Sequence, residues 1–124
     1  MKNMRDFRTW DVYKDSMNFV KDIYIFSKEL PKDEEYGLRS QLRRAAVSIV
    51  NNIAEGSAKS SSKDFHRYLE ISLGSAFEVE TLLNVIKSLD YCNQATTDKM
   101  LTDIDSIERR LNAFIQKIRR EDFR

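Results

Sequence analysis

Few residues in this 124-residue chain could do covalent or acid–base chemistry, and their spacing works against it. His66 is the one histidine and Cys92 the one cysteine. A serine or cysteine nucleophile would have only that imidazole as its base, and a zinc site built from several histidines or cysteines cannot be assembled within one chain. A di-iron bundle needs a glutamate three residues before a histidine on each of two helices, but Lys63 holds that position before His66 and no second histidine exists. Glu78 and Glu80 lie two apart, so on a helix they do not share a face and do not form a general acid and base by themselves. They read as surface charge or polar contacts between helices. Cys92 falls in a turn with no activating neighbour, which makes it a structural thiol. No glycine-rich phosphate loop is present. The sequence thus implies no catalytic residue, no metal ligand and no cofactor, with His66 solvated near the start of a helix.

What remains is charge, and its meaning depends on the elements that carry it. Hydrophobic residues make up 41% and charged residues 33%, with three glycines and one proline, which suits long amphipathic helices. The expected arrangement is a single domain spanning residues 1–124, with helices near 10–30, 33–55, 62–89 and 97–120. In the first, Tyr13, Met17, Val20 and Tyr24 follow helical spacing beside a second stripe of Phe19, Ile23, Phe26 and Leu30, wide enough for two neighbours. Pro31 ends it. Leu38, Leu42, Ala45, Ile49 and Ile53 line the second, which opens on the acids Asp33, Glu34 and Glu35. The third keeps a bundle seam through Phe65, Leu69, Ser72, Ala76, Val79, Leu83 and Ile86, behind a cap at Ser61 and Asp64. The fourth, capped by Thr96 or Thr97, carries Met100, Ile104, Ile107, Leu111, Phe114 and Ile118.

Short connections between four long helices favour antiparallel neighbours, so the fold class is all-α, an antiparallel up-and-down four-helix bundle. Gly56 reads as a left-handed helix stop. Gly74, beside Ser75 and Ala76, suggests close approach by another backbone, with Ala45, Ala46 and Ser48 as its counterpart. The N-terminus carries Lys2, Arg5, Asp6 and Arg8 with no apolar run behind them, which is neither a signal peptide nor a membrane span. A cytoplasmic protein without membrane contact is the expectation.

The net charge of +1 hides a local bias. Between Tyr36 and Arg67, six bases against two acids leave the stretch at +4. In an up-and-down bundle one pole would collect Lys2, Arg5, Arg8, Lys59, Lys63, Arg67, Lys117, Arg119 and Arg120, and the other Asp33, Glu34, Glu35, Asp90, Asp98 and Asp103. Helix dipoles explain the acids early and the bases late in the fourth helix, but not Lys63 and Arg67 at a helix start. The candidate nucleic-acid-binding residues are accordingly Arg39, Arg43, Arg44, Lys59, Lys63 and Arg67, which would meet a polyanion through phosphate charge. No helix-turn-helix, zinc-finger or basic-zipper pattern points to a sequence-specific reader. A scaffold that makes only protein contacts is the alternative. The wide apolar face of the first helix, with a second stripe of Ile71, Leu82, Val85 and Leu89 on the third, points to oligomerisation.

Trp10, the run from Glu35-Tyr36-Gly37-Leu38-Arg39 to Asn52-Ile53-Ala54-Glu55-Gly56, and the third-helix residues Phe65, Tyr68-Leu69-Glu70 and Gly74 to Glu80 resemble the four-helix-bundle proteins encoded in intervening sequences of bacterial 23S ribosomal RNA genes. Val50 stands where that family often has proline, so a bend there is expected to be weaker. The family also resembles the accessory protein of diversity-generating retroelements, a pentameric barrel of four-helix protomers. That resemblance implies a homo-oligomer, a pentamer by analogy, and an RNA, DNA or nucleoprotein partner.

Overall fold

The computed structural model describes residues 4–122. Where each helix starts depends on which side chain reaches the first free amides. The helices are α1 (Asp11–Ser27), α2 (Leu38–Ser57), α3 (Ser62–Ser88) and α4 (Gln94–Asp122), with short 3-10 turns at Phe7–Thr9 and Lys32–Glu34. Ser61 caps α3 as its sequence position suggests, its Oγ accepting from Asp64 N at 3.1 Å. Elsewhere the caps shift the boundaries. Asn93 Oδ1 accepts from Thr96 N at 3.0 Å, so α4 begins before either threonine, and Thr97 Oγ1 instead donates back to Asn93 O at 2.8 Å. The acids after Pro31 precede α2 rather than opening it. Glu34 Oε1 takes the Leu38 amide at 3.2 Å. Glycine at 37 leaves room for that carboxylate, since a Cβ there would sit 2.7 Å from Glu34 Oε1.

α1 packs on α2 and α4, α3 packs on α2 and α4, and the diagonal pairs do not meet. Among the described residues there is no strand, and the chain is an all-α, antiparallel four-helix bundle. Both ends are pinned. At one, Trp10, Phe65 and Phe114 form a ring cluster with centroids 5.0–5.7 Å apart, and Arg5 Nη1 donates to Lys59 O at 2.6 Å and Ser57 O at 3.2 Å. At the other, Tyr91 Oη reaches Glu34 Oε2 at 3.5 Å. The whole α3 seam from Phe65 to Ile86 is buried, and each large aliphatic side chain in such a core contributes about 1.5–3 kcal/mol. Its one polar member is satisfied, with Ser72 Oγ donating to Ile49 O at 2.8 Å. α2 runs unbroken past the buried Val50.

The glycines exchange the roles their sequence positions suggest. Gly56 is not a left-handed stop: no described glycine has positive φ, and α2 continues to Ser57 with Ala58 at φ −83°, ψ −10°. It is instead the close-approach site, where a Cβ would lie 2.6 Å from Tyr68 Cβ and 3.2 Å from Phe65 Cδ1. Around Gly74 itself a Cβ would meet nothing within 4 Å, although the expected counterpart is met through its neighbour, Ser75 Oγ lying 2.8 Å from Ser48 Oγ. The left-handed residue is Asp90, at φ 56°. It closes α3 with Tyr91 N donating to Ile86 O at 3.3 Å and its own amide to Lys87 O at 3.1 Å, the paired bonds of a Schellman motif. His66, expected in solvent, is buried at 8% exposure, with Nδ1 3.5 Å from Glu70 Oε1. His66 lies one turn before the buried Leu69, at the edge of the seam.

Gly56→Ala should therefore cost about 1–3 kcal/mol, because α2 and α3 must part to admit the methyl. Gly74→Ala should stabilise by about 1 kcal/mol through helix propensity. Urea unfolding followed by circular dichroism measures both, and two shifts of the same sign would contradict this placement.

Candidate nucleic-acid interface

The last carbonyls of a helix have no intrahelical partner, and at the end of α1 arginines from α2 supply one. Arg39 Nε donates to Ser27 O at 3.0 Å and its Nη2 to Leu30 O at 2.8 Å, while Nη1 stands 3.8 Å from Glu35 Oε1. Ser27 is fully buried. Its hydroxyl donates to Tyr24 O at 3.0 Å and accepts from Arg43 Nε at 2.8 Å. The Arg43 guanidinium carbon also lies 4.5 Å from the Tyr24 ring centroid, within cation–π range. Arg44 is exposed and only loosely tied, its Nη2 3.4 Å from Ser40 Oγ.

These contacts frame a groove of about 560 Å³ lined by Tyr24, Lys28, Glu35, Tyr36, Arg39, Ser40, Arg43 and Arg44. It brings four cations and two tyrosines around one carboxylate. Tyr36 stands 89% exposed, and its hydroxyl donates to Glu35, whose hydrogen bond and charge raise the phenol above its ordinary pKa. Three of the six sequence candidates, Arg39, Arg43 and Arg44, meet here. Lys28, Tyr24 and Tyr36 join them without having been singled out as binding residues. The i, i+4 spacing of Tyr24 and Lys28 on α1 was a usable signal, but nothing in the sequence aims them at α2.

The other three candidates lie elsewhere. At 1.5 Å per residue, Lys59 is about 24 Å along the α2 axis from Arg43. Lys59 Nζ and Arg67 Cζ flank the Tyr68 ring at 4.9 and 5.3 Å, and Lys63 is exposed beside them. Lys59 also lines a hollow of about 700 Å³ with Met4, Phe7 and Arg8, but Arg5 in that wall already serves the end of α2 and covers Phe65 at 4.5 Å. The six residues thus form two patches. The expected separation of charge into two poles is blurred, because the acids Glu34 and Glu35 share their end with the arginine groove, while Asp98 and Asp103 are paired with Lys87 and Lys99 at 2.7 and 2.8 Å. Lys2 lies outside the described residues.

A pair of carboxyls that sequence spacing concealed lies across the α3–α4 seam. Glu80 bonds to Glu108, which is only 7% exposed and keeps Oε2 without a partner. Burial first, then the Glu80 bond and charge and the charge of Asp105, push Glu108 up to about 8. Neither carboxyl lines the grooves described above, so the pair acts on packing. Among the described residues, no group of three or more His, Cys, Asp or Glu is placed to hold a metal ion, and no helix is long and apolar enough to cross a membrane.

A four-helix bundle with a basic, tyrosine-lined corner defines the class of small all-α proteins whose surface, rather than an enclosed site, carries the charge pattern. The chain belongs to the 23S rRNA-intervening sequence protein family, whose model matches residues 8–113. A solved structure of a protein of unknown function from the S23 ribosomal protein family of Bacteroides thetaiotaomicron is similar to it, with 28% identity and a TM-score of 0.78 over 84% of this chain and 97% of that one. No curated protein matches the chain.

The groove's arginines should separate by role. Arg39→Ala strands the Leu30 carbonyl, while Ser27 O keeps the Leu30 amide at 3.2 Å, and should cost about 1–3 kcal/mol, whereas Arg44→Ala should stay within about 0.5 kcal/mol of the parent in chemical denaturation. Because folding raises the Glu108 pKa, its contribution is most favourable below the ordinary carboxyl value of 4.5 and is lost as pH rises toward about 8. Glu108→Gln should therefore gain Tm over the parent progressively between pH 5 and 8. A constant difference across that range would show that the carboxyl is ionised throughout.

Proposed function

We propose that this chain is a non-enzymatic, homo-oligomeric bundle of the cytoplasm that binds structured RNA or DNA, alone or within a nucleoprotein, through the groove between α1 and α2. The observation that carries the reading is the convergence of Lys28, Arg43 and Arg44 with two tyrosines in one concave surface. Arginine forks and lysine charge suit phosphate oxygens, and tyrosine faces suit bases. Oligomerisation rests on apolar surface: Met17 and Ile25 on α1 and Ile71, Val85 and Leu89 on α3 are each 38–56% exposed. Leu82 drops out of that stripe, being buried at 8%. The pentamer remains the analogy drawn from the retroelement accessory protein.

The same apolar surfaces favour a second reading, a scaffold that makes only protein contacts, and salt separates the two. Binding to a structured RNA should weaken steeply with ionic strength. Reversing Lys28 and Arg44 to glutamate should lower affinity at least ten-fold and reduce the salt slope by about 2. Reversal of Lys63 and Arg67 tests the second patch and should have the smaller effect. No binding of any RNA or DNA at low salt would leave the scaffold reading. Light scattering that returned a monomer at high protein concentration would remove the oligomer.

A further inference from the structure

We infer that the α1–α2 groove holds an unpaired nucleotide, with its base on Tyr36 and its phosphate on Arg43, Arg44 and Lys28; this rests on the nucleic-acid reading above. The argument starts from Tyr36. It is the most open of the large apolar side chains among the described residues, at 89% exposure, and it lies in the same groove as the cations. Phosphate attraction alone needs no aromatic ring. A ring with a free face beside phosphate-binding cations is the pairing that single-strand sites use, because stacking is available to every base once it leaves a duplex. Paired bases keep their faces against one another and offer a protein only their groove edges, sugar and phosphate.

Size and charge point the same way. A groove of about 560 Å³ falls within the about 300–1,000 Å³ range of sites that enclose a small ligand, the scale of a nucleotide rather than a double helix. Its lining also has a sense of direction. Glu35 stands beside Tyr36 and bonds to its hydroxyl, so a phosphate is repelled from that side and drawn toward Arg44 and Lys28. A base edge that carries amino or imino protons can instead donate to the Glu35 carboxylate. Tyr24 is unsuited to the stacking role on the face that the Arg43 guanidinium covers at 4.5 Å. Tyr36 is left as the platform.

The test compares a labelled, unstructured twelve-nucleotide RNA strand, a duplex of the same length and the strand with abasic sites, by fluorescence anisotropy on the full chain. The intact strand should bind about ten-fold more tightly than the duplex or the abasic strand. Tyr36→Ser should remove that advantage and Tyr36→Phe should keep it. Tyr36 is exposed, so both variants should keep the circular dichroism and Tm of the parent. A duplex that binds as well as the strand, or a Tyr36→Ser variant with undiminished single-strand affinity, overturns the inference. If charge reversal at Lys28 and Arg44 still abolishes binding in that case, the groove remains a nucleic-acid site and only the unpaired base is lost. Absence of binding by all three probes removes both readings together.

Discussion

The carbonyl groups that end α1 constrain everything at that corner of the molecule. Pro31 forbids the helix from continuing, so the peptide oxygen of Leu30 needs a donor from another segment, and that of Ser27, which the Leu30 amide reaches at 3.2 Å, has room for a second. Arg39 supplies them, and the buried Ser27 hydroxyl adds Arg43. These bonds fix α2 against α1 in one register. They also decide that basic side chains gather where the acids Glu34 and Glu35 already stand. The groove is a by-product of closing a helix end, and Arg39 and Arg43 in its wall are held by the same bonds that close it.

The rest of the bundle shows the same economy of polar contacts. Ser72 reaches the backbone of α2 from inside the seam, Ser48 and Ser75 meet at 2.8 Å, and Arg5 covers the end of α2 as Arg39 covers the end of α1. Among the described residues the buried Ser16 hydroxyl lacks a partner, and the Glu80–Glu108 pair departs further. One oxygen remains buried without a donor, and holding a proton there costs less than burying two like charges. The α3–α4 seam therefore has an electrostatic weak point that the apolar residues around it must outweigh.

The bundle was legible because heptad spacing reports burial directly: the α3 seam read from Phe65 to Ile86 is the buried one. Helix starts were less so, since Asn93 and Glu34 became caps through side-chain reach that no period encodes. Gly56 and Gly74 were misread for a related reason. A glycine in sequence announces a missing side chain but not which neighbour needs the space, and only the helix rotation turned Gly56 toward Tyr68 and Gly74 away. Three of the six candidate bases share the groove. Arg43 and Arg44 were visible as bases, but Tyr36 sits in a turn without periodicity, and Lys28 and Tyr24 arrive from another helix. Arg39 read as a phosphate-binding candidate because its carbonyl partners on another segment have no sequence signature.

Arg43 carries one more consequence. Its guanidinium is bonded to Ser27 and laid on Tyr24 whether or not anything occupies the groove. Immobilising such a side chain during association takes about 0.5–1.5 kcal/mol, and here folding has already done so. Arg44, loosely placed against Ser40, still has its rotamer freedom to lose. Two adjacent arginines of equal charge would thus contribute unequally to any encounter, one as a preorganised receptor and the other as an adaptable arm.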